Sequence, residues 1–352
     1  MSSAFSQITS ATSEPTLCFT LAEFHQWAAM VGLDTNIKPI PETEAHQKLR
    51  DLINLSNQFP IQLTIENSPE FQFIPATLKP IADRLRSALL DVKRSNPTHF
   101  SDTVKVEPHI LYAIISACEH AQSLIDTGSS EATKRILLNN LLIQLCQTRD
   151  DLILNYELER ELKLPETQVG DFAVTEIIAD VMYLHIPDFR TYGADEALRH
   201  AASAIHSNSD NLQVVHCVAG LKQTDSSHQC MMGIISGLYQ RIVLDAPGHY
   251  IFGIFRFNEV FLQIVAGIWQ DNKVHLYDLG QYSIIDPVQL LRFSLVARGI
   301  QDLGKLYAQE LLDSDERLHA QVMNNPPSRT WVPVCMDEPS QHPGVPNAHQ
   351  GE

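Results

Sequence analysis

Apolar positions along the first part of the chain recur at helical spacing, and the places where the pattern breaks are marked by capping and stop residues. Thr20 and Glu23 stand three apart just ahead of Phe24, Trp27, Ala28 and Val31, a capping box that predicts a short helix ended by Gly32. Residues 43–59 repeat the period through Leu49, Leu52, Ile53 and Phe59 until Pro60 stops it, and 62–73 reads as an extended connector. Helical spacing returns at 78–92 through Ile81, Leu85, Ala88, Leu89 and Val92. Pro108 suits the first turn of a further helix carrying Ile110, Leu111, Ile114, Ile115 and Cys118. After a break at Gly128-Ser129-Ser130, residues 132–162 are predicted as one long helix.

Beyond Pro165 the period changes. A helix over 167–182 leads to a strand-like 183–192, a helical insert at 194–205 and a polar turn at 207–211. Residues 212–221 form a continuous β-branched run suited to a central strand. A helix at 227–244 follows, then strands at 250–257, 260–270 and 273–279, joined by the polar turns Asn258-Glu259 and Asp271-Asn272. Asp286-Pro287 opens a closing helix, 288–312. The expected organisation is disorder at 1–19, a helical region at 20–164, an α/β domain at 165–315 and a disordered Pro-rich tail at 324–352. The fold class is therefore α/β, a helical amino-terminal region followed by a mixed sheet flanked by helices.

Composition narrows the chemistry. Of 352 residues, 44% are hydrophobic, and 25 Lys and Arg face 42 Asp and Glu for a formal charge of -17. That balance argues against coating nucleic acid by bulk charge, which needs clustered cations, while leaving room for a local site. No apolar run is long enough to span a bilayer, and the start lacks the features of a secretory signal. The six cysteines form no CxxC pair and read as reduced thiols, so an intracellular location is expected, cytoplasmic or nuclear.

One constellation suggests a reaction. Pro187-Asp188 is expected on the first strand of the α/β region, and Gly220-Leu221-Lys222 ends the central one. A divalent ion that hydrolyses a phosphodiester needs carboxylates from neighbouring strands, and a nearby lysine balances charge on the developing oxyanion. On these residues the region from Pro165 to about Leu312 resembles the PD-(D/E)XK nuclease superfamily, particularly its divergent fungal members. The resemblance implies Asp188 as metal ligand, Lys222 as charge stabiliser and Gln229 as the helix glutamine of that family. It implies Glu166 or Glu176 as the second acid, and Mg²⁺ as the ion if the protein is active. The position two before Lys222, acidic in that family, is Gly220. The expectation is therefore a catalytically degenerate or non-standard nuclease-like protein, with nucleic acid bound at a local site. The alternative is a non-enzymatic adaptor that binds a protein partner through 20–164, with no membrane association in either case.

Other chemistries fare less well. His216, Cys217, His228 and Cys230 cluster in sequence, but His216 and Cys217 are adjacent on a predicted strand and would point to opposite faces, which disfavours zinc. The stretch 233–237 misses the GxSxG spacing, and neither a phosphate loop nor a dinucleotide turn is present. Phe252, Phe255, Phe257 and Phe261 lie in apolar strands and read as core, not as a stacking platform.

Overall fold

A computed structural model describes residues 20–146, 154–206, 211–222 and 226–333. The disorder expected at 1–19 and at 334–352 lies outside the described residues. Helix α1 (Leu21–Met30) is closed by the predicted box: Thr20 N–H donates to Glu23 Oε2 at 2.7 Å, and Glu23 N–H donates back to Thr20 Oγ1 at 3.3 Å. Gly32, at φ +73°, reverses the chain into β1 (Leu33–Lys38), a strand that sequence periodicity did not reveal. Helix α2 (Gln47–Ser56) and the two-residue β2 (Phe59–Pro60) follow. The expected extended connector is instead a series of 3₁₀ turns leading into α3 (Lys79–Ser95). Strand β3 (Phe100–Ser101) pairs with β2, and then come α4 (Pro108–Asp126) and α5 (Glu131–Cys146).

The next two elements correct the sequence reading. Of the long helix expected over 132–162, the described residues show α5 as far as Cys146, and Leu154–Val169 is instead strand β4. The helix expected over 167–182 is replaced by the turn Gly170-Asp171 and strand β5 (Phe172–Ile186). Val174, Thr175, Ile177, Ile178 and Val181 are β-branched and favour a pleated surface, and Gly170 at φ +58° makes the tight hairpin reversal. The expected start of the α/β domain at Pro165 therefore falls inside a strand.

Short helices α6 (Arg190–Ala194) and α7 (Glu196–Ala202) lead to β6 (Leu212–Gly220). Helix α8 (Ser226–Val243) crosses over to β7 (Ile251–Arg256), and two hairpins add β8 (Phe261–Gln270) and β9 (Lys273–Ser283). Asp271 and Asn272, both at positive φ, form the β8–β9 turn. Asp286 then caps α9 (Pro287–Asp313), accepting the Val288 N–H at 2.9 Å with Pro287 in the first turn, and α10 (Asp315–Asn324) ends the helical sequence.

Among the described residues the architecture is ten helices around a seven-stranded mixed sheet, in the order β1-β9-β8-β7-β6-β5-β4. β6–β7 and β1–β9 are parallel and the other pairs antiparallel. One face packs against α1 and α8, with Trp27, Ile234 and Leu238 in its core. The other face carries α9, over which α2, α4 and α5 are laid. Part of the expected tail is docked as well: Trp331 is buried, and its Nε1–H donates to the Ala201 carbonyl at 2.8 Å.

Candidate functional site, a charge clamp at the sheet end

Strand register decides which of the expected site residues meet. β5 and β6 run antiparallel, with Ile186 opposite Leu212 and Asp180 opposite Ala219. Asp188 follows the end of β5 beside the start of β6, whereas Lys222 follows the other end of β6, which is nine residues long. At ~3.3 Å per residue the two lie roughly 25 Å or more apart. Asp188 sits in an exposed turn at φ +58° and lines an open groove with Phe189, Arg190 and Leu212. The expected convergence of Asp188 and Lys222 is not formed.

The remaining candidates are dispersed too. Glu166 and Glu176 lie on β4 and β5, not on helices. Glu166 is exposed, and its N–H donates to the Trp331 carbonyl at 2.9 Å. Glu176 precedes Asp188 along the same strand by a span of more than about 30 Å. Asp188, Glu166 and Glu176 thus make no common site, and they do not fit a Mg²⁺ ion. Gln229, early in α8, donates its amide to the Ile178 carbonyl. That carbonyl lies beyond the last β6 pairing, so the glutamine completes a ladder position the neighbouring strand has vacated.

Glu176 has other company. Its carboxylate, that of Glu161 on β4, and the His206 ring offer ligand atoms all within 4.8 Å of one another. Burial, then the hydrogen bond and charge of Glu161, push the Glu176 carboxyl up, against a downward pull from His206. Two carboxylates and an imidazole suit a first-row divalent ion better than Mg²⁺.

The most elaborate polar arrangement lies where β5 and β6 begin to diverge, and it is built around a residue the sequence reading passed over. Asp180, almost wholly buried, is the lone acid in the apolar run from Ile177 to Leu184. Its carboxylate accepts from Arg135 Nη2 at 3.0 and 3.3 Å and from the Glu159 N–H at 2.9 Å. Glu159, at φ +53°, sits in a β-bulge of β4, which turns that N–H inward. Arg135 also reaches Glu159 Oε1 at 2.8 Å through Nη1. One turn earlier on α5, Glu131 takes both its oxygens to Arg256 Nη1 at 2.7 and 2.9 Å, at the end of β7. Lys134 lies 3.5 Å from Glu259. Burial pushes the Asp180 carboxyl up, opposed by the Glu159 N–H and by Arg135.

The β6 positions on the same sheet face as Asp180 are apolar here. Ala219 pairs with it, and Leu221 lies two further along in the same core. Gly220 faces α8 instead, where a Cβ would stand 2.3 Å from the Ser226 carbonyl oxygen. An acid cannot occupy that position while α8 keeps its place. The clamp therefore joins α5 to the ends of β4, β5 and β7 through paired charges, and no second carboxylate stands opposite Asp180.

The argument against zinc from strand alternation requires one adjustment. A bulge between the Met182–Cys217 and Tyr183–Val215 pairs puts His216 and Cys217 on the same face. His216 Nε2 is engaged with the Ile300 carbonyl at 2.7 Å, and burial pushes the Cys217 thiol up. No helix among the described residues is long and apolar enough to cross a membrane. Comparison with protein-family models, curated proteins and solved structures finds no match.

Proposed function

We propose that this chain is a nuclease-like α/β protein without hydrolytic activity, which works by binding. The observation that carries this reading is the Asp180 carboxylate, whose oxygens are taken by the Arg135 guanidinium and a backbone N–H. A phosphodiester-cleaving ion needs carboxylate oxygens that face it together with a second acid. Here the Arg135 guanidinium engages the Asp180 oxygens, and Gly220 is closed against Ser226. The direct test is incubation with labelled single-stranded DNA, duplex DNA and RNA in Mg²⁺ or Mn²⁺. The expected result is no metal-dependent cleavage, the same for the natural chain and for Asp180→Asn, Asp188→Ala and Lys222→Ala. Cleavage abolished by any of these substitutions overturns the proposal.

A second reading, a protein-binding adaptor acting through 20–164, draws on the exposed apolar side chains Ile65, Phe73 and Tyr112 in that region. It predicts that Phe73→Asp weakens partner capture while leaving the folded state intact.

A further inference from the structure

The far part of the β4–β5 hairpin brings together acids that no basic side chain neutralises. Glu161 pairs with Ile178 and Lys163 with Glu176, so the two glutamates are diagonal neighbours on one face of the sheet. Their carboxyl groups are in hydrogen-bond contact. Two such groups touch only with a proton or a cation between them, and at neutral pH a proton is held there at a cost. Among the described residues no lysine or arginine pairs with either acid. Arg160, next to Glu161, meets Glu157 at 3.2 Å and donates to the His206 carbonyl at 2.8 Å. Lys163 donates its ammonium to the His200 and Arg329 carbonyls.

The third member of the group is fixed by its backbone. After α7 the chain lies along the outer edge of β4, where Lys163 N–H donates to the Ala204 carbonyl at 2.8 Å and His206 N–H donates to the Glu161 carbonyl at 3.1 Å. Between them Ile205, buried, forms an antiparallel bridge with Leu162. That pairing sets the His206 ring beside the acids, with Nδ1 3.9 Å from Glu161 Oε2. One ligand atom from each residue lies within 4.8 Å of the other two. Atoms that share one zinc ion stand roughly 3.3–4.4 Å apart, so small side-chain rotations close the group on an ion. None of the three residues is buried, which leaves a path for entry. The imidazole separates this group from an ordinary acidic patch. Mg²⁺ and Ca²⁺ favour oxygen shells, whereas a ring nitrogen with carboxylates suits Zn²⁺ and its first-row neighbours. Two carboxylates also match the two charges of the ion.

We propose that Glu161, Glu176 and His206 bind a divalent first-row transition ion of the zinc type, which fastens the segment 204–206 to the β4–β5 hairpin. Binding displaces the proton that the two acids share. The site is separate from the clamp, because Glu176 precedes Asp180 along β5 by roughly 13 Å. It does not depend on whether the chain cleaves nucleic acid.

Calorimetric titration of the full chain, freed of metal by a chelator, with zinc chloride tests this. One saturable site per chain is expected, its affinity reduced about tenfold or more in Glu176→Gln and in His206→Asn. Glu166→Gln, which changes an exposed acid on the same strand as Glu161, should leave it unaltered. Magnesium chloride in large excess should not compete. Without metal, Glu176→Gln should unfold at the same urea concentration as the natural chain or a higher one, since it removes one of two touching acids; this separates loss of a ligand from loss of the fold. Cobalt(II) bound at the site should show no thiolate charge-transfer absorption, which distinguishes these ligands from cysteine. Absence of saturable zinc binding, unchanged affinity in either ligand variant, a destabilised metal-free Glu176→Gln, or a thiolate band overturns the proposal.

Discussion

Asp180, Arg256, His216, His249 and Arg241 are all withdrawn from water, and the fold treats them differently. Asp180 and Arg256 each meet an opposite charge from α5, which keeps their removal from solvent tolerable. The two histidines are held neutral instead: burial, with Arg241 adding to it, brings His216 to about 3 and His249 to about 2. An unfolded chain protonates both near 6.5, while the native state resists until far lower pH. Their contribution to stability is therefore complete above pH 6.5 and is lost as pH falls, by up to about 1.4 kcal/mol per pH unit for each ring. Urea unfolding midpoints measured at pH 7.5, 6.0 and 5.0 should fall accordingly, and His249→Asn should remove about half of that slope. Midpoints independent of pH across this range would contradict the assignment of neutral rings.

At the scale of elements, the central contact is α8 against the sheet, where several glycines let the backbones approach. Gly220 meets the Ser226 carbonyl, and Gly253 meets Cys230 Sγ, at positions where a Cβ would stand 2.3 and 2.5 Å away. Backbone yields less readily than a flexible side chain, so Gly220→Ala should cost about 2 kcal/mol or more in urea unfolding. Gly193→Ala, where nothing lies within 4 Å, should stay within about 0.5 kcal/mol. Equal effects of the two substitutions would remove the close-packing argument. The β4–β5 hairpin shows how an element escapes its own periodicity. Residues 154–163 hold Leu, Glu, Arg and Lys, good helix formers, and the apolar positions of 167–182 fit a helical stripe as well as a strand. Pairing with β6, and the burial of one face against α8, outweigh those local preferences.

In the whole molecule the amino-terminal helices and the sheet share one interior. The core that contains Leu49, Leu85 and Ile114 continues through Leu184, Phe252 and Leu290 to Val322, while β1 forms the sheet's outer strand beside β9. A fragment 165–315 would lose β1, the first part of β4, and the helices α2 to α5 that cover α9. It should be insoluble or lack a cooperative thermal transition by circular dichroism, whereas 20–333 should retain one. A sharp transition in the short fragment would show that the sheet domain is self-sufficient.

The sequence by itself determined what depends on neighbours within a turn or two. The Thr20 box, the Asp286-Pro287 start, the hairpin turns Asn258-Glu259 and Asp271-Asn272, and the apolar β6 run were all legible, because capping and pleating act over a few residues. Tertiary structure alone decided which side chains share a site. Antiparallel pairing of β5 with β6 carries Asp188 and Lys222 to opposite ends, and it sets Asp180 within reach of an arginine 45 residues earlier. His249 acquires its setting only when α9 supplies Tyr307 and Glu310 from a distance. Strand register and helix packing are collective, long-range balances of burial and pairing, and no local window of residues contains them.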